Sequence, residues 1–295
     1  MGKSISIKTN VSPLRYPGGK SRLSGFVSSI IEKTGIEKPI YIEPFSGGAG
    51  VALSLLLSDC VNEIVINDFD KAVYSFWRAI LTETKRFLKK IDVIDVTIDE
   101  WRKQKSIYCT QNNRYSFELG FATFFLNRTN RSGILRAGPI GGYEQSGNYK
   151  IDARFNKTKL IEKINRIAKY KHRIHVYNQD IRTFVRKNLK RYSEKAFVYF
   201  DPPYYQKGKC LYKNFFEKKD HQEIHDLIVS IKVPWIVTYD NTNEIKTIYA
   251  EQTKWLFDIT YSVANSGKNE ELLFVSDDSL LVGNHFSKEI KLRKE

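Results

Sequence analysis

The sequence is poor in cysteine, with three among 295 residues, Cys60, Cys109 and Cys210, and no CxxC pair. An odd, scattered set argues against a disulfide framework and a zinc ribbon, and a reducing compartment is expected. Long apolar runs are also missing. Stretches such as 51–57 and 197–200 fall well short of the roughly 20 residues that a bilayer crossing needs. The opening MGKSISIKTN lacks the apolar core of a signal peptide. No membrane association and a cytoplasmic location are therefore expected.

Three common site motifs fail on inspection. Gly18-Gly19-Lys20-Ser21 looks like the end of a P-loop, but Leu14 stands where the first glycine is required, which argues against an NTPase. Around Gly47-Gly48-Ala49-Gly50 no start gives GxGxxG; from Gly48 the last position is Leu53, which weakens a dinucleotide site. His221 and His225 stand four apart as HQEIH, which misplaces the Glu of a zinc-protease helix, so a solvated helix face and no metal are expected.

What the chain does hold is apolar and aromatic matter, 41% and 13%, enough for a folded core. Its length suits one large domain, or a core with an insertion. The net charge is +15 and is unevenly placed. Residues 71–200 carry 28 Lys and Arg against 11 Asp and Glu, whereas the remainder carries 20 against 22. A localised cationic excess points to a polyanionic partner. The alternative, a solubility surface, would mix the two signs along the chain.

Tyr41 and Ile42 lead into a glycine turn and then the apolar VALSLLL, which reads as strand, loop, helix. Strands are predicted at 63–66, 175–177, 196–200, 235–238 and 272–275. Strands alternating with helices imply a mostly parallel α/β sheet, covered on both faces, that binds ligands at its carboxyl edge. The stretch 76–155 breaks the rhythm with a helical YSFELGFATFFL and a polar run over 127–148, and reads as an inserted domain. The final KEIKLRKE reads as a solvated tail or frayed helix.

Acidic residues punctuate the strand ends. Glu43 opens EPFSGGAG after the first strand, Asp68 ends the second, Asp180 follows the third and Asp201-Pro202-Pro203-Tyr204 follows the fourth. Small residues let the loop backbone approach a ligand closely, and a carboxylate can accept both hydroxyls of a ribose. This pattern suits a nucleoside-containing ligand lying across the sheet. Helix capping remains open for Asp68 and Asp180, and turn capping for Asp201.

In this order the motifs resemble those of the alpha-group, Dam-like DNA adenine-N6 methyltransferases, over most of the chain. Leu14-Arg15-Tyr16-Pro17-Gly18-Gly19-Lys20 resembles the family's opening motif, EPFSGGAG its S-adenosylmethionine loop, Ile66-Asn67-Asp68 its ribose motif and DPPY its catalytic tetrapeptide. The loop more often reads Phe-x-Gly-x-Gly; Ala49 takes the last glycine position here and is small enough for binding to survive. Residues 127–134 are similar to the family's DNA-inserting hairpin, and 239–242 and 266–271 to later motifs that shape the target-base pocket.

The resemblance implies a Rossmann-like S-adenosylmethionine-dependent methyltransferase sheet over 1–75 and 156–295, with a mainly helical target-recognition domain inserted at 76–155. It implies site-specific methyl transfer to N6 of a flipped-out adenine in duplex DNA, with Asp201, Pro202, Pro203 and Tyr204 catalytic. The cofactor would lie on Tyr16, Lys20, Glu43, Phe45, Ser46, Gly47, Gly48, Ala49, Gly50, Asp68, Asp180 and Asp201. The DNA would meet Asn127, Arg128, Asn130, Arg131, Ser132 and Arg136. Expected partners are double-stranded DNA and a restriction endonuclease acting on the same site; the chain is expected to be a monomer or weak dimer.

The chemistry suits these residues. An adenine N6 lone pair is delocalised into the ring until acceptors hold its hydrogens, and Asp201 with the Pro202 carbonyl would do so. Paired prolines fix φ and lack N–H, so they present that carbonyl rigidly. Two other readings fit the motifs less well. An amino methyltransferase for RNA or glutamine more often carries Asn at the first tetrapeptide position, and a DNA-binding protein with a decayed site would not keep both DPPY and the glycine loop.

Overall fold

The computed structural model describes residues 7–15, 20–192, 195–206, 216–260, 268–282 and 290–295. Its strands are β1 Ile40–Glu43, β2 Glu63–Asn67, β3 Ile174–Tyr177, β4 Ala196–Phe200, β5 Trp235–Asp240, β6 Trp255–Thr260, β7 Lys268–Val275 and β8 Leu292–Lys294. They form one sheet in the order β3-β2-β1-β4-β5-β7-β6-β8. The first five run parallel, and β7 pairs antiparallel with both β5 and β6. Strand order reverses between β1 and β4, which opens a crevice at their carboxyl ends.

The centre of the sheet is apolar because both of its faces are covered. Every residue of β4, AFVYF, is buried. Strand periodicity then sorts the side chains. Tyr41, Phe197 and Tyr199 join one core, while Ile42, Val198 and Phe200 join the other.

The first core receives α1 Ser24–Lys33, α2 Gly50–Leu57, α3 Lys71–Thr82, α4 Thr84–Val93, α5 Ile98–Thr110, α6 Phe117–Thr129 and α7 Lys157–Ala168. The second receives α8 Ile181–Asn188, α9 Lys218–Val229 and α10 Asn243–Ile248. Polar side chains start several of these helices: Asp70 caps α3, Thr97 α5, Ser116 α6, Asn156 α7 and Asp180 α8.

The segment 76–155 is helical for much of its length, and the division expected between 75 and 76 falls inside α3. Its aromatic centre, with Phe76 stacked on Phe124 at 5.9 Å and Phe87 against Phe121 at 5.2 Å, belongs to the same core as the sheet face. α6 approaches α3 so closely that a Cβ on Gly120 would lie 2.5 Å from the Ser75 carbonyl oxygen.

Two expectations are corrected. The C-terminal stretch is not a loose tail: Leu292–Lys294 pairs with β6 as an edge strand. His221 and His225 do lie on a helix, but they point inward, not to solvent. His221 is fully buried with Nδ1 3.0 Å from the Tyr239 hydroxyl, and His225 packs on Tyr249 at 4.6 Å. Among the described residues no group of three or more His, Cys, Asp or Glu could hold a metal, and no helix is long and apolar enough to cross a membrane.

Candidate active site

The glycine turn leaves β1 with Gly47 and Ala49 in the left-handed region, at φ 44° and 46°. Ala49 pays a steric penalty there that glycine would not, and neighbouring elements hold the turn in place. Trp77 of α3 donates its indole N–H to the Gly47 carbonyl at 2.9 Å, and Ser12 donates to the Gly48 carbonyl at 2.6 Å. Glu43 turns inward beneath the turn and accepts from the Ala52 amide at 3.1 Å. Burial first, and the nearby Asp201 next, push its carboxyl up to about 8.

Asp68 answers the capping question left open by the sequence. The cap of α3 is Asp70, and Asp68 instead faces the glycine turn. Each of its oxygens accepts one backbone amide, Oδ2 from Gly47 and Oδ1 from Asp70, both at 2.9 Å. A carboxylate oxygen has a second lone pair, so both can still take a hydroxyl. Asn67, buried beside it, donates to the carbonyls of Pro44 and Gln179 and accepts from the Gln179 amide. One side chain thus ties together the loops after β1, β2 and β3.

Asp180 sits at the carboxyl end of β3, but its carboxylate accepts the Arg182 amide at 2.9 Å and lies 3.3 Å from the same residue's guanidinium. It serves as the cap of α8. Tyr16 lies outside the described residues, as do residues 17–19 and 266–267.

The tetrapeptide follows β4 directly. Asp201 Oδ1 accepts the Thr238 hydroxyl at 2.9 Å and lies 3.2 Å from Lys20 Nζ. Tyr199 in turn lies 2.9 Å from Thr238 Oγ1. Since the Thr238 proton goes to Asp201, Tyr199 is the donor in that pair. Asp201 retains 23% side-chain exposure, and among the described residues no partner takes Oδ2. Burial raises its pKa, against the pull of Lys20 and Thr238. Beyond it, Asp240 accepts the amides of Tyr205 and Gln206 at 2.9 and 3.0 Å and so holds the chain that leaves the tetrapeptide.

Lys20 lies beside the tetrapeptide. It is buried, and its Nζ meets Asp201, the Tyr204 hydroxyl and, at 2.7 Å, Glu271 Oε2. Burial alone would lower its pKa; Asp201, Tyr204, Glu271 and Tyr199 overcome this and hold it well above the usual lysine value. Asp240 and Glu271 fall within the segments 239–242 and 266–271 likened above to pocket-shaping motifs, although the sequence assigned neither a partner, and Thr238 was not singled out. A further trace in the sequence is that polar residues stand in apolar strand runs, Thr238 within WIVTYD and Glu271 ahead of LLFV.

The expected DNA-reading residues divide in two. Asn127 is buried and clasps Arg15, accepting its amide at 2.7 Å and donating to its carbonyl at 2.8 Å, with a further bond to Gly133 O. Asn130 is wholly buried, accepts from the Trp101 indole at 2.6 Å and donates to the carbonyls of Ile134 and Leu135. Neither amide is free to read a base, so both are corrected to loop-shaping residues. Arg131 and Arg136 are exposed, and Ser132 takes the left-handed turn at φ 54°.

Arg128 donates to the Arg154 carbonyl and is lowered to about 10 by burial, then by Arg15 and Arg154. Lys163 is lowered to about 8 by burial, then by Arg128 and Arg166. Cations crowded in this way favour a polyanion between them.

The sequence model of the D12 class N6 adenine-specific DNA methyltransferase matches residues 16–263. The type II methyltransferase M.MjaIII of Methanocaldococcus jannaschii is 23% identical over 224 residues, covering 71% of this chain and 74% of its own. Among solved structures, PH1948 of Pyrococcus horikoshii has a TM-score of 0.42 at 10% identity, over 92% of this chain and 90% of that one. The rRNA methyltransferase aviRa of Streptomyces viridochromogenes has 0.37 at 13% identity, over 91% and 90%.

Proposed function

The chain belongs to the D12 class N6 adenine-specific DNA methyltransferase family, and on that premise we propose that it methylates a flipped-out adenine of duplex DNA from S-adenosylmethionine at Asp201. The observation that carries the reading is the convergence of Glu43, Asp68 and Asp201 at the carboxyl ends of β1, β2 and β4. Burial, and then Asp201, hold the Glu43 carboxyl up, so a cationic group beside it would be favoured, and Asp68 keeps lone pairs for a diol. Ser46 Oγ is buried in the turn and has no hydrogen-bond partner among the described residues. These features fit a molecule with cationic groups at one end and a ribose at the other.

When bound, S-adenosylmethionine supplies an electrophilic sulfonium methyl. The chain's own groups prepare the nitrogen that receives it. Asp201 Oδ2 would accept one N6 hydrogen and the Pro202 carbonyl the other, which localises the lone pair. Lys20 and Thr238 fix Oδ1, so the free oxygen keeps its direction. Tyr204 would stack on the extruded base, a contact worth about 1–3 kcal/mol. Positioning and electrostatics carry the rate in such a site.

The helical block over 76–155 would be the target-recognition part, with Arg131, Arg136 and the cluster around Arg128 meeting phosphates. Extruding a base costs a few kcal/mol, which those contacts would offset. A cognate endonuclease for the same site and a monomeric or weakly dimeric state belong to the same reading. Incubation with methyl-labelled S-adenosylmethionine and mixed-sequence duplex DNA tests it: label in N6-methyladenine is expected, and label only in RNA or protein rejects it.

A further inference from the structure

Glu271 has no part in the chemistry above, yet it is more deeply buried than Asp201, with 2% side-chain exposure against 23%. Its two oxygens go to different residues. Oε2 accepts from Lys20 Nζ at 2.7 Å, and Oε1 accepts from the Tyr204 hydroxyl. Lys20 also meets the Tyr204 hydroxyl and lies 3.2 Å from Asp201. The three protons of an ammonium thus face three acceptors, which fixes its direction.

A buried ion pair is a poor source of net stability, because desolvation offsets the attraction and a well-packed apolar side chain would serve as well. Glu271 precedes the apolar run LLFV on a strand flanked on both sides, so an apolar pair in place of both Glu271 and Lys20 would suit the fold there. What such a pair could not do is hold Asp201 and the Tyr204 hydroxyl together. These two are the first and last residues of the tetrapeptide.

Resting on the proposed function, we propose that Glu271 is a positioning residue for methyl transfer: through Lys20 and the Tyr204 hydroxyl it sets Asp201 and the stacking ring in one fixed relation. It acts on the reacting amine only through these two residues. A small displacement of such groups is felt chiefly in the chemical step, not in cofactor affinity.

The test is single-turnover methylation of duplex DNA by Glu271→Gln, with calorimetric S-adenosylmethionine binding on the same preparation. The rate is expected to fall about 10- to 100-fold while cofactor affinity stays near wild type. The alkaline limb of the rate profile is also expected to move to lower pH. Glu271 is one of the groups that keep Lys20 protonated, the others facing it being Asp201, Tyr204 and Tyr199. Tyr204→Phe, which keeps the ring and removes only the hydroxyl, should slow the reaction in the same sense. Combining it with Glu271→Gln should cost less than the sum of the two losses.

A wild-type rate and unshifted limb in Glu271→Gln, or additive losses in the double variant, overturn the proposal. Should Glu271→Gln fail to fold, a wild-type rate in Tyr204→Phe overturns it alone. Wild-type protein that leaves adenine unlabelled rejects the underlying function instead, so the two failures are distinct.

Discussion

Asn127 holds Arg15 by both of its backbone polar groups, across 112 positions of sequence. The bond pair fastens the N-terminal motif to the last turn of α6. Just beyond it Gly133, with φ 75°, approaches so closely that a Cβ would stand 2.3 Å from the Arg15 carbonyl oxygen. Asn127→Ala leaves buried backbone groups unsatisfied and is expected to lower stability by about 1–3 kcal/mol. Denaturant unfolding checks this; wild-type stability would mean that the amide faces solvent.

Gly120→Ala is a second test of packing. The added methyl meets the Ser75 carbonyl across the α3–α6 contact, so the helices must separate. A loss of about 1–3 kcal/mol is expected in thermal or denaturant unfolding, as for other overpacked sites. No loss would mean that the two helices are not in close contact.

The parallel half of the sheet was legible because buried strands write themselves as short apolar runs between turns, as in AFVYF before Asp201. The acids were legible as punctuation at strand ends. Contacts between distant segments were not. Nothing local to Asn127 or Asn130 distinguishes an amide that reads a base from one that clasps a loop, and only burial decided it. Lys20, Tyr204 and Glu271 meet only once β7 has entered the sheet. The edge strand at 292–294 was hidden by its charges, which an edge tolerates.

Salt dependence should separate the two kinds of expected DNA residue. Arg131→Ala and Arg136→Ala are expected to weaken DNA binding and to reduce the salt slope of log affinity by about 1 each. Asn130→Ala should instead lower stability, with its binding slope unchanged. Fluorescence anisotropy across a salt series measures both; an unchanged slope in both arginine variants would place them off the DNA.

The pH dependence of stability follows from Glu43. Its folded-state carboxyl is raised from 4.5 to about 8, so between those values the unfolded chain ionises first. Stability from this group is full below about pH 4.5 and is lost as pH rises toward 8. Melting of the cofactor-free protein should show that decline, and Glu43→Gln should make it shallower, the remainder coming from groups such as Asp68, which burial first and Asp70 next raise to about 7. A cationic cofactor favours the carboxylate, so S-adenosylmethionine should raise Tm more at an assay pH of about 8.5, above the window, than at about 6, within it. An equal decline in Glu43→Gln would assign the effect elsewhere.

The most direct measurement is Asp201→Ala in two assays run side by side, transfer of labelled methyl to adenine in duplex DNA and calorimetric binding of S-adenosylmethionine. Label in DNA is expected to vanish while cofactor affinity stays close to wild type. Continued labelling, or loss of cofactor binding together with activity, would show that this carboxylate does not grip the target amine.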